Sequence, residues 1–337
     1  SSIAIGIASG ASTQGTSAVA IGNQAGLFNQ GRNTVAVGRG AGGNSQGEEA
    51  ISIGAFAGQS NQGNQAIAIG SDAGQIAQGL GSIAIGPTAG SDDQGASSVA
   101  IGIAAGQFSQ APEAISIGIN TGQNNQSNQS IAVGSGAGQY SQGINAISIG
   151  AFSGQIVQAS NSIAIGTFSG QTGQGIMSVA IGNTSGQLSQ GTNCVSIGTT
   201  SGSENQGASS VAIGNLTGQV SQGSDSVAIG TQSGQSNQGI DAVAIGKMAG
   251  TINQGASSIA IGQFAGYAAQ NINSIALGIL SGADNQAANS VSIGWTAGQN
   301  YQGEDSVAIG TNAGSGTQGS SAVAVGQNAG QESQGNN

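Results

Sequence analysis

Residues 17–32 read SAVAIGNQAGLFNQGR, and residues 225–240 read DSVAIGTQSGQSNQGI. Both are copies of one 16-residue unit. Counted from Ser1, 21 such copies account for 336 of the 337 residues, with no insertion to break the phase. A fixed short period of this kind is the signature of a solenoid, in which each unit buries a face only by stacking on its neighbours. The chain is therefore expected to be a single continuous repeat domain over residues 1–337, without a linker.

Within the coil some positions are fixed and others free. The sixth and tenth are always glycine, as in Gly6, Gly10, Gly22, Gly26, Gly38 and Gly42. The fourteenth is always glutamine, as in Gln14, Gln30, Gln46, Gln62, Gln78, Gln94 and Gln110. The third is Ile or Val, the fifth Ile or Val except for Leu277, and the fourth Ala or Ser. Small and β-branched residues thus alternate over positions 2 to 5, which is a strand signal. Two obligatory glycines per coil argue against helix, at about 1 kcal/mol each. Gly6 and its equivalents end the first strand, and Gly10 and its equivalents turn or bulge the chain into the second.

Sixteen residues allow two short strands and two tight turns, so the expected fold is all-β: a flattened parallel β-solenoid of two sheets. With a strand spacing of roughly 4.8 Å, the stacked coils make a rod about 100 Å long. The branched aliphatics are expected to fill its interior, as Val19, Ile21, Val35, Val37, Ile51 and Ile53 in the second to fourth coils. The small ninth residue faces them. The Ser/Ala face of positions 2 and 4 is then left outside, and its restriction to small residues points to close packing against another chain. The buried glutamine amides are expected to bond coil to coil as a structural ladder.

Composition excludes several functions. The net charge is −10, and Arg32, Arg39 and Lys247 are the only basic residues, too few to neutralise nucleic-acid phosphates or to hold an anionic membrane. No apolar run is long enough for a transmembrane helix, so no membrane insertion is expected. The absence of histidine removes His-based catalysis and the usual zinc sites. No metal, cofactor or catalytic residue is expected. All 13 acids and the three bases fall at coil positions 1, 7, 8, 12, 13 or 16, which marks those positions as solvent-facing. The pairs Glu48–Glu49 and Asp92–Asp93 read as solvated turns rather than acid/base dyads. Cys194 is alone, so there is no internal disulfide framework. Gly38-Arg39-Gly40-Ala41-Gly42-Gly43 matches a dinucleotide fingerprint without the helix that motif requires.

The segments SVAIGNQAG, SIAIGTFSG and SVAIGTNAG resemble the YadA-like head repeats of trimeric autotransporter adhesins. They are also similar to repeats of phage tail fibres and of surface proteins of large DNA viruses. The resemblance implies a left-handed parallel β-roll, commonly a homotrimer, exposed outside the cell and binding host molecules. The coil here is longer and adds a regular Gln-Gly turn.

These readings converge on a non-catalytic fibre or filament subunit, extracellular or on a virion or cell surface. It is expected to be a homo-oligomer, with a trimer favoured, or to stack head to tail into a filament, since both ends keep the repeat in phase. An adhesin shaft with a host receptor or glycan as partner is the alternative, with Phe152 and Phe168, one coil apart, as a surface binding stripe. An ice-binding plane is a remoter one, because no regular Thr-x-Thr rank appears.

Overall fold

The computed structural model describes residues 1–336. Each coil contributes a first strand at positions 3–5 and a second at positions 12–14, and there is no helix among the described residues. The strands stack in parallel with a 16-residue offset, so that equivalent positions pair: Ile3 with Val19, Ala4 with Ala20, Ile5 with Ile21. The chain is an all-β parallel solenoid of about 21 turns.

Two compact units, Ser1–Thr172 and Gly173–Asn337, are distinguished by their internal contacts. In the first, the leading strands run in register from Ile3–Ile5 to Ile163–Ile165, and the second strands from Ser12–Gln14 to Ile156–Gln158. In the second, the leading strands run from Val179–Ile181 to Val323–Val325. Its second-strand sheet thins at the coil of Tyr267. There Ala268 makes only isolated bridges to Ile252 and Asp284, and Asn271 replaces the usual turn glycine.

The inside and the outside of the coil are the reverse of the sequence expectation. Ala20, Ala36, Ala68 and Ala84 at position 4 are fully buried, as are Ala18, Thr34, Ala50 and Ser82 at position 2. In the first unit Ala57, Ala68, Ala73, Ala84, Ala89, Ala100 and Ala105 pack into one cluster, drawn from positions 4 and 9. In the second, Ala244, Ala249, Ala260, Ala265 and Ala276 do the same. Val19, Val35, Val37 and Ile51 are only half-buried, while Ile21 and Ile53 are exposed at 37% and 39%. These six residues are therefore not the core, and positions 2 and 4 are not an outer face. The physical reason is width. The glutamine of position 14 lies across the interior and reaches the opposite strand, and only Ala, Ser, Thr or Cys fits beside it. Because side chains alternate strictly, that one requirement sends positions 3 and 5 outward.

Glycine is required at position 6 for two reasons. The backbone there has φ near +130°, and a methyl built on Gly22 would lie 2.5 Å from the carbonyl oxygen of Gly38, its counterpart in the next coil. The stack brings backbone directly over backbone. Other left-handed positions are not glycine. Positions 1, 8 and 13 hold φ values such as 61° at Ser17, 57° at Gln24 and 49° at Asn29. Polar residues tolerate this region best. Val157, β-branched and 56% exposed, sits in it at φ 54°.

Two substitutions test this backbone reading by denaturant midpoint. Gly54→Ala puts a methyl 2.5 Å from Gly70 O at φ +132° and is expected to cost about 2 kcal/mol or more. Val157→Asn relieves a β-branched left-handed residue and is expected to stabilise the protein by up to about 1 kcal/mol.

Candidate functional site

The chemistry-bearing features are ladders of amides inside and outside the coil, a few aromatic contacts, and two ranks of branched aliphatics. The inner ladder is built by the position-14 glutamines. Gln30, Gln46, Gln62, Gln78, Gln94 and Gln110 are all at most 3% exposed, while Gln14 in the terminal coil is half-buried. Each donates across the interior to a first-strand carbonyl of its own coil: Gln14 Nε2 to Ile3 O at 2.9 Å, Gln30 to Val19 O at 3.0 Å, Gln94 to Ile83 O at 2.8 Å. The amides also meet one another, with Gln30 Nε2 donating to Gln46 Oε1 at 3.3 Å and Gln62 to Gln78 at 3.1 Å. Gly10, Gly26 and Gly42 make room for them. A Cβ on Gly26 would stand 2.7 Å from Gln30 Oε1.

Position 4 decides whether the amide oxygen is satisfied. Where it is serine, the hydroxyl donates to that oxygen, as Ser52 Oγ to Gln62 Oε1 at 2.7 Å and Ser116 to Gln126 at 2.6 Å. Where it is alanine and the preceding amide stands too far away, the oxygen is left alone. Gln30, Gln94, Gln222, Gln238, Gln254 and Gln318 are such cases. A buried acceptor without a donor costs about 1–3 kcal/mol.

A second, outer ladder was not foreseen. Glutamines at position 11 donate in the opposite direction, each to the coil before it: Gln123 to Gln107 at 2.9 Å, Gln139 to Gln123 and Gln155 to Gln139 at 3.0 Å, Gln171 to Gln155 at 3.1 Å. These amides are half-buried. The signal was present in the sequence, since position 11 is Gln in every coil from Gln107 to Gln187.

Phe152 and Phe168 form a stacked pair, with ring centroids 5.3 Å apart and planes 7° from parallel. Their facing surfaces cover each other, and the Phe152 ring also lies against Gly136, where a Cβ would be 2.8 Å from Phe152 Cδ1. Both rings are half-buried. Arg39 stands 4.5 Å above the Phe56 ring, and Phe264 meets Tyr267 edge to face. Trp295 and Tyr301 are exposed at 57% and 62%.

Ionic features are few. Arg32 and Glu48, one coil apart, form a bidentate pair at 2.8 and 3.1 Å. The hydrogen bonds and charge of Arg32 hold the Glu48 carboxyl below its ordinary range. Both groups are solvated, so the pair adds little stability. It is complete at neutral pH and is lost as acid protonates Glu48. Glu49 accepts instead from Gln65, so the two adjacent glutamates have separate partners. Asp92 and Asp93 lie on a second strand, with Asp92 in register with Phe108. Among the described residues, no three His, Cys, Asp or Glu side chains converge as a metal site would require, and no helix is long and apolar enough to cross a membrane. Cys194 is buried at position 2, its thiol against Gly207 O at 2.9 Å.

The architecture is that of a parallel β-solenoid repeat protein. Residues 302–329 match two copies of the YadA head domain repeat, which agrees with the resemblance carried by SVAIGTNAG. A comparison with curated proteins gave no match.

The serine–amide bond is testable by paired stability measurements. Ser52→Ala removes the donor to Gln62 Oε1 and is expected to cost about 1–3 kcal/mol. Ala84→Ser offers the unpartnered Gln94 Oε1 the same donor and is expected to gain about 1 kcal/mol.

Proposed function

We propose that this chain is a non-catalytic structural shaft of a surface fibre, and that its copies associate through the Ile/Val ranks of positions 3 and 5. The observation that carries this reading is the uninterrupted aliphatic rank outside the coil. Ile21, Ile53, Ile117 and Ile149 in the first unit are exposed at 37–39%, with half-buried Val19, Ile51, Ile115 and Ile147 two residues before them. Isolated surface aliphatics need no explanation, but a contiguous branched rank marks an interaction face. Removing it from water stabilises an assembly by roughly 25 cal/mol per Å².

A second copy of the same chain is the partner that fits, because the rank recurs in every coil and a partner must present an equally periodic surface. The match to the YadA head repeat supports an adhesin-like structural protein on a surface, and YadA-type adhesins are trimeric. Three chains then enclose the ranks as a shared core, and the interior of each coil needs no large apolar residue of its own. The adhesin reading is favoured over a purely mechanical one by the family match.

Sedimentation equilibrium tests the assembly. The wild-type chain is expected to have the mass of a small oligomer, three chains in the favoured case. Ile53→Asp combined with Ile85→Asp is expected to reduce that mass to one chain or to weaken association at least 100-fold. A monomeric wild-type chain at micromolar concentration, or a double variant of unchanged mass, contradicts the proposal.

A further inference from the structure

The outer ladder of the first unit has properties that the assembly does not use. No Asp, Glu, Lys or Arg occurs between Glu113 and Glu204, although charges are spread through the rest of the chain. Within that neutral stretch lie Gln123, Gln139, Gln155 and Gln171, four of the five rungs running from Gln107. A glutamine amide offers two N–H donors and two acceptor lone pairs. The ladder engages one N–H and one lone pair of Gln123, Gln139 and Gln155, and leaves the others on half-buried side chains at the surface.

Apolar ranks flank the ladder on both sides in sequence. At position 12, Phe108, Tyr140 and Ile156 are 40–42% exposed and follow one another, with Asn124 between the first two, in sheet register. At position 8 stand Gly136 and the stacked rings of Phe152 and Phe168. That rank is adjacent to the ladder, since a Cβ on Gly136 would lie 3.8 Å from Gln139 Oε1. The result is a strip in which neutral donors and acceptors repeat at the strand spacing of roughly 4.8 Å, between aromatic and aliphatic edges.

We propose that this strip binds a neutral, extended polysaccharide. The proposal rests on the surface-shaft reading and adds the ligand class. Three features select that class. The lack of charge disfavours polyanions and charged peptides. The paired donors and acceptors left on Gln123, Gln139 and Gln155 suit vicinal hydroxyls, which both donate and accept. The rungs repeat at a distance comparable to one sugar of an extended chain, so successive residues meet successive amides. The strip is also local. The Ile/Val ranks occupy every coil, as a chain-to-chain contact must, whereas the glutamine run at position 11 gives way to Ser91 before it and Ser203 after it.

Native electrophoresis of the full chain through gels containing hydroxyethylcellulose, galactomannan or dextran sulfate tests the proposal. The wild-type chain is expected to be retarded by a neutral polymer, equally at low and at 0.5 M salt, because no charge is involved. Gln139→Leu combined with Gln155→Leu is expected to weaken retardation at least tenfold. Tyr140→Ala, at a side chain 42% exposed, is expected to weaken it at least threefold. Gln219→Leu combined with Gln235→Leu removes the rung of the second unit and is expected to leave binding unchanged. Absence of retardation by both neutral polymers, retardation only by the sulfated polymer or only at low salt, or equal binding by the wild type and the Tyr140 variant each overturns the proposal. Sedimentation of the same preparations separates this outcome from a failure of the assembly: an oligomer without retardation refutes the ligand alone, and a monomer that is retarded refutes the assembly alone.

Discussion

The inside of each coil is as wide as one glutamine side chain. Gln30 and its equivalents leave the second strand, cross the interior and bond to a first-strand carbonyl at about 3 Å. This tie sets the distance between the two sheets. The glycine beneath the amide, the small residues at positions 2, 4 and 9, and the outward direction of the large aliphatics all follow from it. A leucine in place of the amide would fill the same space but would leave the first-strand carbonyl without its donor, a loss of about 1–3 kcal/mol in a buried site.

A coil with so little apolar matter inside depends on its backbone and its neighbours. Within each unit, parallel hydrogen bonds link successive coils along the sheets and through the turns, as Gly26 N to Ala41 O at 2.9 Å and Gln24 N to Ile7 O at 2.8 Å. They offset the left-handed residues at three non-glycine positions of most coils. Serines substitute for alanines inside without orphaning their hydroxyls, because each finds a carbonyl or an amide oxygen. Ser153 reaches Ala164 O at 2.6 Å and Ser98 reaches Gly95 O at 2.7 Å. The alternation of Ala and Ser that looks neutral in sequence is an allocation of hydrogen bonds.

Much of this was legible from residues alone. The 16-residue period, the two strands, the obligatory glycines and the solvent-facing charges follow from pattern and from elementary backbone sterics. The direction of the strand did not. Alternation at Val19, Ala20 and Ile21 fixes which residues share a face, but not which face is enclosed. Ranking side chains by apolar area points the valine and isoleucine inward. The contrary evidence was Gln30, since an invariant amide claims interior volume that two branched aliphatics then cannot have. The outer glutamine ladder was missed for a different reason. Position 11 varies over the whole chain, and its order appears only when neighbouring coils are compared in sequence.

Because coils lie on one another with a constant 16-residue offset within each unit, the length of either unit is quantised. Removing or duplicating one whole copy recreates the same backbone pairing at the new junction, whereas a change of any other size leaves one coil out of register with its neighbours. Recombination between copies in the same phase thus has a tolerable outcome available, and the number of coils can change without disturbing the backbone ladder.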